Sequence, residues 1–586
     1  DDGSGNAVCR QQTLGAPEPL VNRDPDAEFI NTGLTTPITP TQAQIDACVP
    51  LDLFGPNGPS AAAIDYVTAP SNPSNKATQL YGAASLGGTI VELPAGPWSF
   101  SSQFEWRRES NEFTPGPVFG LGLGRSTLGQ ASEGTLRFFE GGTEFIVPVF
   151  GGDVRPFGFN ELELNGAVRV VNRSISSDLN PAAAGASSPT DVTFTAGGRW
   201  SPFEGITFRG NRTRSVRSPS VVELVGAGVT GFTGGADADF ACDATNVDTD
   251  VSGVPAGTRR ANCRAWVIAL GLATDNASAD TFLNGFEIPN TGSRPAAGGS
   301  NANLDNERAD NWTVGVVLQP DFIPGLTIES DWYSIDVKGL LGLTFIVNQC
   351  FDQTTFPNSP VGGFNACDSV IPNVSDGMGG FIVPTVHPIT GTPVPAQAQP
   401  GSPAISQTAG HNAFIFFPTV NQGLLESRAW NNRISYNFEL ADIFGGMADS
   451  WGDATVTGNV LYYRRLRTNG NEAAGEHTAA GARTPKYASR LDFTHRLGDL
   501  THTLQWFRQS GTQQNVGTSA SPTSPENFFL DPYNTFNYNV RYEFNDNITA
   551  RLVVNNLTNN FLNPEFGQFI GDPIGRRFVG SVEFNF

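Results

Sequence analysis

Oily and polar residues trade places one by one along much of the chain. In 536–544, Phe536, Tyr538, Val540, Tyr542 and Phe544 share one parity, while Asn537, Asn539, Arg541 and Glu543 take the other. In 98–107, Trp98, Phe100, Phe104 and Trp106 lie with Ser102 and oppose Ser99, Ser101, Gln103, Glu105 and Arg107. In 312–319, Trp312, Val314, Val316 and Leu318 oppose Thr313, Gly315, Val317 and Gln319, and 548–554 repeats the pattern. Successive side chains of a strand point to opposite faces, so these segments predict a sheet with one apolar and one polar face. The alternation reaches the last residues, with Phe578, Gly580, Val582, Phe584 and Phe586 on one parity.

The spacing of these segments predicts about fifteen strands, seven hairpins and a last strand ending at Phe586. Short connections fall at 94–96, 201–205, 319–325, 498–499 and 545–547, with somewhat longer ones at 151–160 and 441–453. Between them lie long gaps at 109–133, 174–189, 218–308, 339–424, 468–485, 510–533 and 558–573. Gaps as long as 218–308 and 339–424 are foreign to a compact soluble domain. A soluble sandwich would use the same alternation by packing its apolar faces together. Against it stand aromatics near strand ends, at Trp98, Trp106 and Trp200, and the regular exchange of short and long connections. That exchange is the habit of an antiparallel transmembrane β-barrel, whose closure removes the edges a bilayer does not tolerate.

Composition narrows the picture. The 586 residues carry a net charge of −22, which excludes a nucleic-acid binder. The 66 glycines and 41 prolines suit strands and turns rather than helices. No run approaches the roughly 18 apolar residues of a membrane-spanning helix. The six cysteines allow many connectivities. Neighbours are expected to pair, Cys9–Cys48, Cys242–Cys263 and Cys350–Cys367, because each couple sits in one irregular segment. Zinc is the rival reading, but no CxxC occurs and none of the five histidines lies near a cysteine couple. Disulfides imply an oxidising compartment.

At this point the chain resembles the TonB-dependent receptors. The end, "VVNNLTNNFLNPEFGQFIGDPIGRRFVGSVEFNF" (553–586), is similar to that family's last two strands and the loop between them. "FRGNRTRSVRSPSVVEL" (208–224) resembles its strand ending in an Arg-small-Pro-Ser motif, although Arg212 stands where the family usually has an aromatic. "NANLDNERADNWTVGVVLQP" (301–320), "GLTIESDWYSIDVKG" (325–339) and the stretch 145–172 resemble further hairpins. The resemblance covers most of 140–586. It implies a multi-pass barrel of roughly 22 strands in the outer membrane of a Gram-negative cell, with an N-terminal plug and energy from the TonB system. A periplasmic C-terminus then makes the short turns periplasmic and the long loops extracellular. Counting back makes 78–586 the C-terminal part of the barrel and 1–77 an extracellular loop segment. The plug and first strands are expected to be absent. Phe584 and Phe586 stand where the family carries its barrel-assembly terminus.

No catalytic constellation is visible, and neither an enzyme nor a cofactor is expected. His387, His411, His477, His495 and His502 are scattered; the last two flank a tight turn and face each other with no third ligand. The acidic run 237–250 reads as a solvated loop, with Ca²⁺ as the rival. Arg212 and Arg214 share parity with Phe208 and point outward, toward lipopolysaccharide phosphates or simply snorkelling to the interface. Arg209 and Arg217 have the opposite parity and face the lumen. Phe232, Trp266, Phe356 and Phe381 in the two longest loops suit contact with an extracellular ligand, and equally suit loops that pack on each other. The resemblance implies uptake of a scarce nutrient such as a siderophore or saccharide. A passive porin-like channel, and a surface structural or assembly protein acting through its loops, are the alternatives.

Overall fold

The structure, a computed structural model, describes residues 8–9, 12, 41–51, 53, 58–120, 129–181, 183, 189–234, 240–249, 251, 253–287, 293–343, 346–378, 380–395, 398, 400, 412–445, 451–477, 483–514, 529–560 and 574–585. A curved antiparallel wall runs through them. Its strands are β1 (Ser74–Leu93), β2 (Gly96–Thr114), β3 (Ser132–Phe150), β4 (Glu161–Ser176), β5 (Thr190–Phe203), β6 (Ile206–Arg217), β7 (Glu307–Leu318) and β8 (Leu326–Leu343). They continue with β9 (Asn412–Glu439), β10 (Asp453–Thr468), β11 (Tyr487–Leu497), β12 (Leu500–Gln509), β13 (Tyr533–Asn545), β14 (Ile548–Asn555) and β15 (Arg577–Phe584). Each strand pairs with the next, from Ser74↔Thr114 in the first hairpin to Ile548↔Phe584 in the last pair. β1 and β15 are not paired with each other among the described residues.

The register carries one face from strand to strand. Trp106 lies opposite Phe139, Val168 opposite Phe194, Trp200 opposite Phe208 and Val314 opposite Trp332. Trp332 lies opposite Trp430, Trp430 opposite Tyr462, and Trp506 opposite Phe536, whose rings stack at 6.0 Å. Phe536, Tyr538, Val540 and Tyr542 all lie on this face, against Trp506, Leu504, His502 and Leu500. Among the described residues no second layer covers it: Phe104 is 53% exposed, Val314 55% and Phe578 69%. An apolar surface this wide is tolerated only against lipid or a partner. Among the described residues no helix is long and apolar enough to cross a membrane.

The dry core lies beyond the long-loop rim. Trp266, Phe240, Phe351 and Phe414 are among the largest fully buried side chains. The chain between β6 and β7 and the chain between β8 and β9 fold together into one cap. The first contributes helices α1 (Thr258–Ala269) and α2 (Asn276–Asn284). Asp275 starts α2 by accepting a hydrogen bond from the Ser278 backbone at 2.8 Å, a capping box. Trp266 and Phe240 of the first segment meet Phe351 of the second edge-on, at 5.8 and 5.3 Å between ring centres. Disulfides Cys242–Cys263 and Cys350–Cys367 are buried in the same core, while Cys9–Cys48 lies in the N-terminal segment.

The sequence boundaries shift in places. β1 starts at Ser74 rather than 78, and β8 and β9 extend to Leu343 and from Asn412, so the second long gap is 344–411 rather than 339–424. The alternation fades there for a physical reason. The upper half of β9 leaves the wall and pairs in parallel with Ser293–Gly299 and antiparallel with Val370–Pro372, which fills both its edges, and the adjacent Phe414 and Ile415 are both buried, so protein also covers both its faces.

Candidate functional site

On the outer face near the long-loop rim, Arg214 bonds Asp310 at 2.9 Å. Arg212, one step lower, lays its guanidinium over Trp312 at 5.1 Å and Phe194 at 5.9 Å. A cation over two ring faces is held electrostatically and keeps its N–H edge free for an anion. Both arginines therefore point outward, as their parity requires.

The inner face is polar and cross-braced. Arg169 on β4 bonds Glu105 on β2 and reaches Glu140 on β3 at 2.6 Å. Together with Arg107 and Gln103 these residues line an open cavity of about 440 Å³ against the wall. Arg209 on β6 spans β7 to bond Asp331 at 2.7 Å and Glu329 at 3.0 Å on β8. Arg217 joins Glu307 at 2.7 Å to Glu223 at 3.1 Å. Burial raises the pKa of Glu223, but its bonds to Arg217 and Ser220 outweigh this and hold its carboxyl below the usual range. Further along, Gln505 links Asp492 at 2.9 Å to Asn537 at 2.8 Å. Arg209 and Arg217 thus face the lumen, but their charge is met within the wall. Sequence reasoning missed these partners because they lie on neighbouring strands up to 122 residues apart. The usable signal was opposite charges of like parity.

In the cap, α1 and its neighbours form a second ionic cluster. Arg260 bonds Asp248 at 2.6 Å and Asp280 at 3.0 Å, and Arg264 bonds Asp280 at 2.8 Å. The Arg260 bond depresses the pKa of Asp248. Asp243 accepts from Thr245. The acidic run is therefore spent on its own loop at these positions, and Asp237, Asp239 and Asp250 lie outside the described residues. His387 is 3% exposed. Its Nε2 meets the Val370 carbonyl at 2.6 Å, and its Nδ1 accepts from the Ile389 and Thr390 backbone at 3.3 and 3.2 Å. Burial lowers its pKa from the ordinary 6.5.

The aromatic candidates separate. Trp266 is 1% exposed, in the cap core, and Phe356 stacks on Phe351 at 6.0 Å, packed against the same core. Phe381 is half-buried on the short strand Phe381–Ile382, and Phe232 lies on Val229–Gly234 opposite Pro295. His495 and His502 do oppose each other, their rings parallel at 5.9 Å. His502 is bonded to Tyr538 and His495 to the Trp451 carbonyl, so each ring already has a partner. No cluster of three metal-ligating residues occurs among the described residues. Phe584 ends β15 on the outer face, 56% exposed; Phe586 and His411 lie outside the described residues.

Residues 51–557 match a family model described as TonB dependent receptor-like, beta-barrel. No curated protein matches the chain. Among solved structures it is similar to the ferric-catecholate import receptor Fiu from E. coli K12, at 12% identity and a TM-score of 0.44, covering 88% of this chain and 55% of that one. It is also similar to the siderophore receptor PirA from Acinetobacter baumannii, at 11% identity and a TM-score of 0.42, covering 90% and 64%. A third is the copper transporter OprC, at 10% identity and a TM-score of 0.42, covering 87% and 57%. The chain spans 55% of the length of the first of these.

Proposed function

The chain belongs to the TonB dependent receptor-like β-barrel family, and on that premise we propose that it captures a scarce small-molecule nutrient at the cell surface for energised uptake. Its place is the outer membrane, with the two-faced wall in lipid and the cap outside. The family is one of receptors and transporters.

One observation carries the reading. A wall with a lipid-facing apolar side and an ion-paired polar side supports, on one rim only, a folded cap built from its two longest loops. Such a cap is a recognition surface raised above a lumen. The loops' exposed positions, rather than Trp266, supply first contact with ligand; Phe381 remains a candidate. By family resemblance, a plug and the TonB system complete the transporter. The segment before β1 is part of an extracellular loop, and Phe584 with Phe586 serves as the assembly address. Arg212, held between Trp312 and Phe194, meets lipopolysaccharide phosphate, with Arg214 in support.

The test is accumulation of radio-iron-loaded siderophores and labelled oligosaccharides by cells expressing the full-length protein, with and without an uncoupler of the proton-motive force. Uncoupler-sensitive accumulation of one class supports the reading. Accumulation that ignores the uncoupler replaces it with a passive channel.

A further inference from the structure

The short turns on the periplasmic rim differ sharply in character around the wall. The β3–β4 turn carries Phe157, 94% exposed, and the β7–β8 turn carries Phe322, 85% exposed. Phe203, the last residue of β5, is 50% exposed, and the short helix Leu440–Phe444 after β9 presents Ile443 at 51%. On the other flank, the tips themselves are Gly498–Asp499 between β11 and β12 and Asp546–Asn547 between β13 and β14, exposed and without an apolar side chain; the exposed Phe544 there, at 60%, belongs to strand β13 and not to the turn. Phenylalanine at near-complete exposure on two turns of one flank is not an accident of a water-facing rim, where turns favour Gly, Asn and Asp.

The β3–β4 turn is also built to hold its aromatics in place. Gly151 and Val154 bridge each other through paired backbone bonds, and Phe159 donates to the Pro156 carbonyl at 2.9 Å. Trp200 on the outer face donates its indole N–H to the Gly158 carbonyl at 2.9 Å, which fastens the turn against the wall's lipid side. Phe150 packs on Phe159 at 5.0 Å, Phe159 on Trp200 at 5.8 Å, Trp200 on Phe208 at 5.5 Å and Phe157 on Phe203 at 5.8 Å. The result is an aromatic plaque continuous with the apolar face and extending past the strand ends.

We propose that this flank of the rim, carried by Phe157, Phe203 and Phe322, is a wedge that inserts into the inner phospholipid leaflet below the wall, while the β11–β14 flank stays in water. The occupant is lipid rather than a periplasmic protein because the plaque joins the lipid-facing surface without a polar break at Trp200. Aromatic rings at such a boundary lower their free energy by sitting among headgroups and upper acyl chains. The protein is then seated asymmetrically, deeper under β3–β8 than under β11–β14. This inference rests on the membrane assignment of the outer face.

The experiment places single nitroxide labels on the full-length protein in phosphatidylethanolamine–phosphatidylglycerol vesicles, at F157C, F322C, D546C and the mid-wall control F104C. Oxygen, which concentrates in lipid, and a water-soluble nickel chelate report the surroundings of each label. The expected result is a several-fold higher oxygen-to-nickel ratio at 157 and 322 than at 546, approaching that at 104. A lipid-like ratio at 104 with water-like ratios at 157 and 322 overturns the wedge and leaves the membrane reading intact. Protection of 157 and 322 from both reagents also overturns it, in favour of a protein partner. A water-like ratio at 104 overturns the membrane reading itself. The exposed turn positions tolerate labelling, and the F157S–F322S double variant, expected to lower the oxygen signal at a label on Phe203→Cys, provides an independent check.

Discussion

Arg209 on β6 grips Asp331 on β8 across the intervening strand β7, at 2.8 and 2.7 Å, and it does so over Gly315. A Cβ built on Gly315 would lie 2.0 Å from the Asp331 carboxylate. The glycine's missing side chain is the passage through which the ion pair forms, and Asp331 itself is 5% exposed.

Gly315→Ala is therefore expected to destabilise the wall as much as Arg209→Ala does, because both take the guanidinium from a buried carboxylate. A charged hydrogen bond of this kind is worth about 1.5–3 kcal/mol. Urea unfolding of the vesicle-embedded protein, followed by tryptophan fluorescence, measures it. The double variant is expected to cost little more than either single change.

Trp266→Ala is expected to unfold the cap and spare the wall. Truncating a buried tryptophan costs about 3–5 kcal/mol. Because Trp266 packs on Phe351 from the other loop, hydrogen exchange should rise together in 240–287 and 346–372. A rise confined to the first segment would mean that the loops fold separately.

The disulfides should differ in their response to mild reductant. Cys242, Cys263, Cys350 and Cys367 are all at most 2% exposed, whereas Cys9 and Cys48 are half-buried. Alkylation and mass spectrometry at intervals should find Cys9–Cys48 opened first. Replacing Cys242 and Cys263 by serine should cost the cap about 3 kcal/mol, as expected for closing a loop of this size.

Acid should loosen the second loop of the cap through His387. Its folded pKa is depressed, so the unfolded chain binds the extra proton first and stability falls with pH. The contribution is complete above the ordinary value of about 6.5 and is lost as pH falls through the lower folded value. Protonating Nδ1 would set it against two backbone donors, with Asp368 the nearby charge that favours the proton. Hydrogen exchange over 366–394 should quicken between neutral and mildly acidic pH, and His387→Gln should flatten that dependence.

Arg212→Ala should reduce the lipopolysaccharide retained by the purified protein more than Arg214→Ala. Arg214 is hydrogen-bonded to Asp310, whereas Arg212 lies over ring faces and acts on Asp310 only through space. Phosphate analysis after detergent exchange reads the difference.

The wall was legible in the sequence because lipid on one side and water on the other impose a period of two, which Phe536–Phe544 and Trp98–Trp106 display openly. The strand succession β1 to β15, the rim of short turns and the three cysteine pairings all follow from such local signals. The cap was not legible. Its core joins Trp266 to Phe351 across a whole hairpin, and no local periodicity records a partnership between two loops. For the same reason Trp266 read equally as a ligand platform and as loop packing, and only the structure shows it 1% exposed in the cap core. Arg209 was assigned its face correctly, but its partner was hidden, since Gly315 announces a gap without saying what fills it.

β9 is a single extended strand whose lower half belongs to the membrane wall and whose upper half belongs to the cap. The two halves meet at Asn421–Gly423, where the pairing with β8 slips register and Gln422 is left as an extra residue. A load placed on the outer turret thus reaches the wall through one continuous strand, and that slip is the place along it where the strand bends most readily.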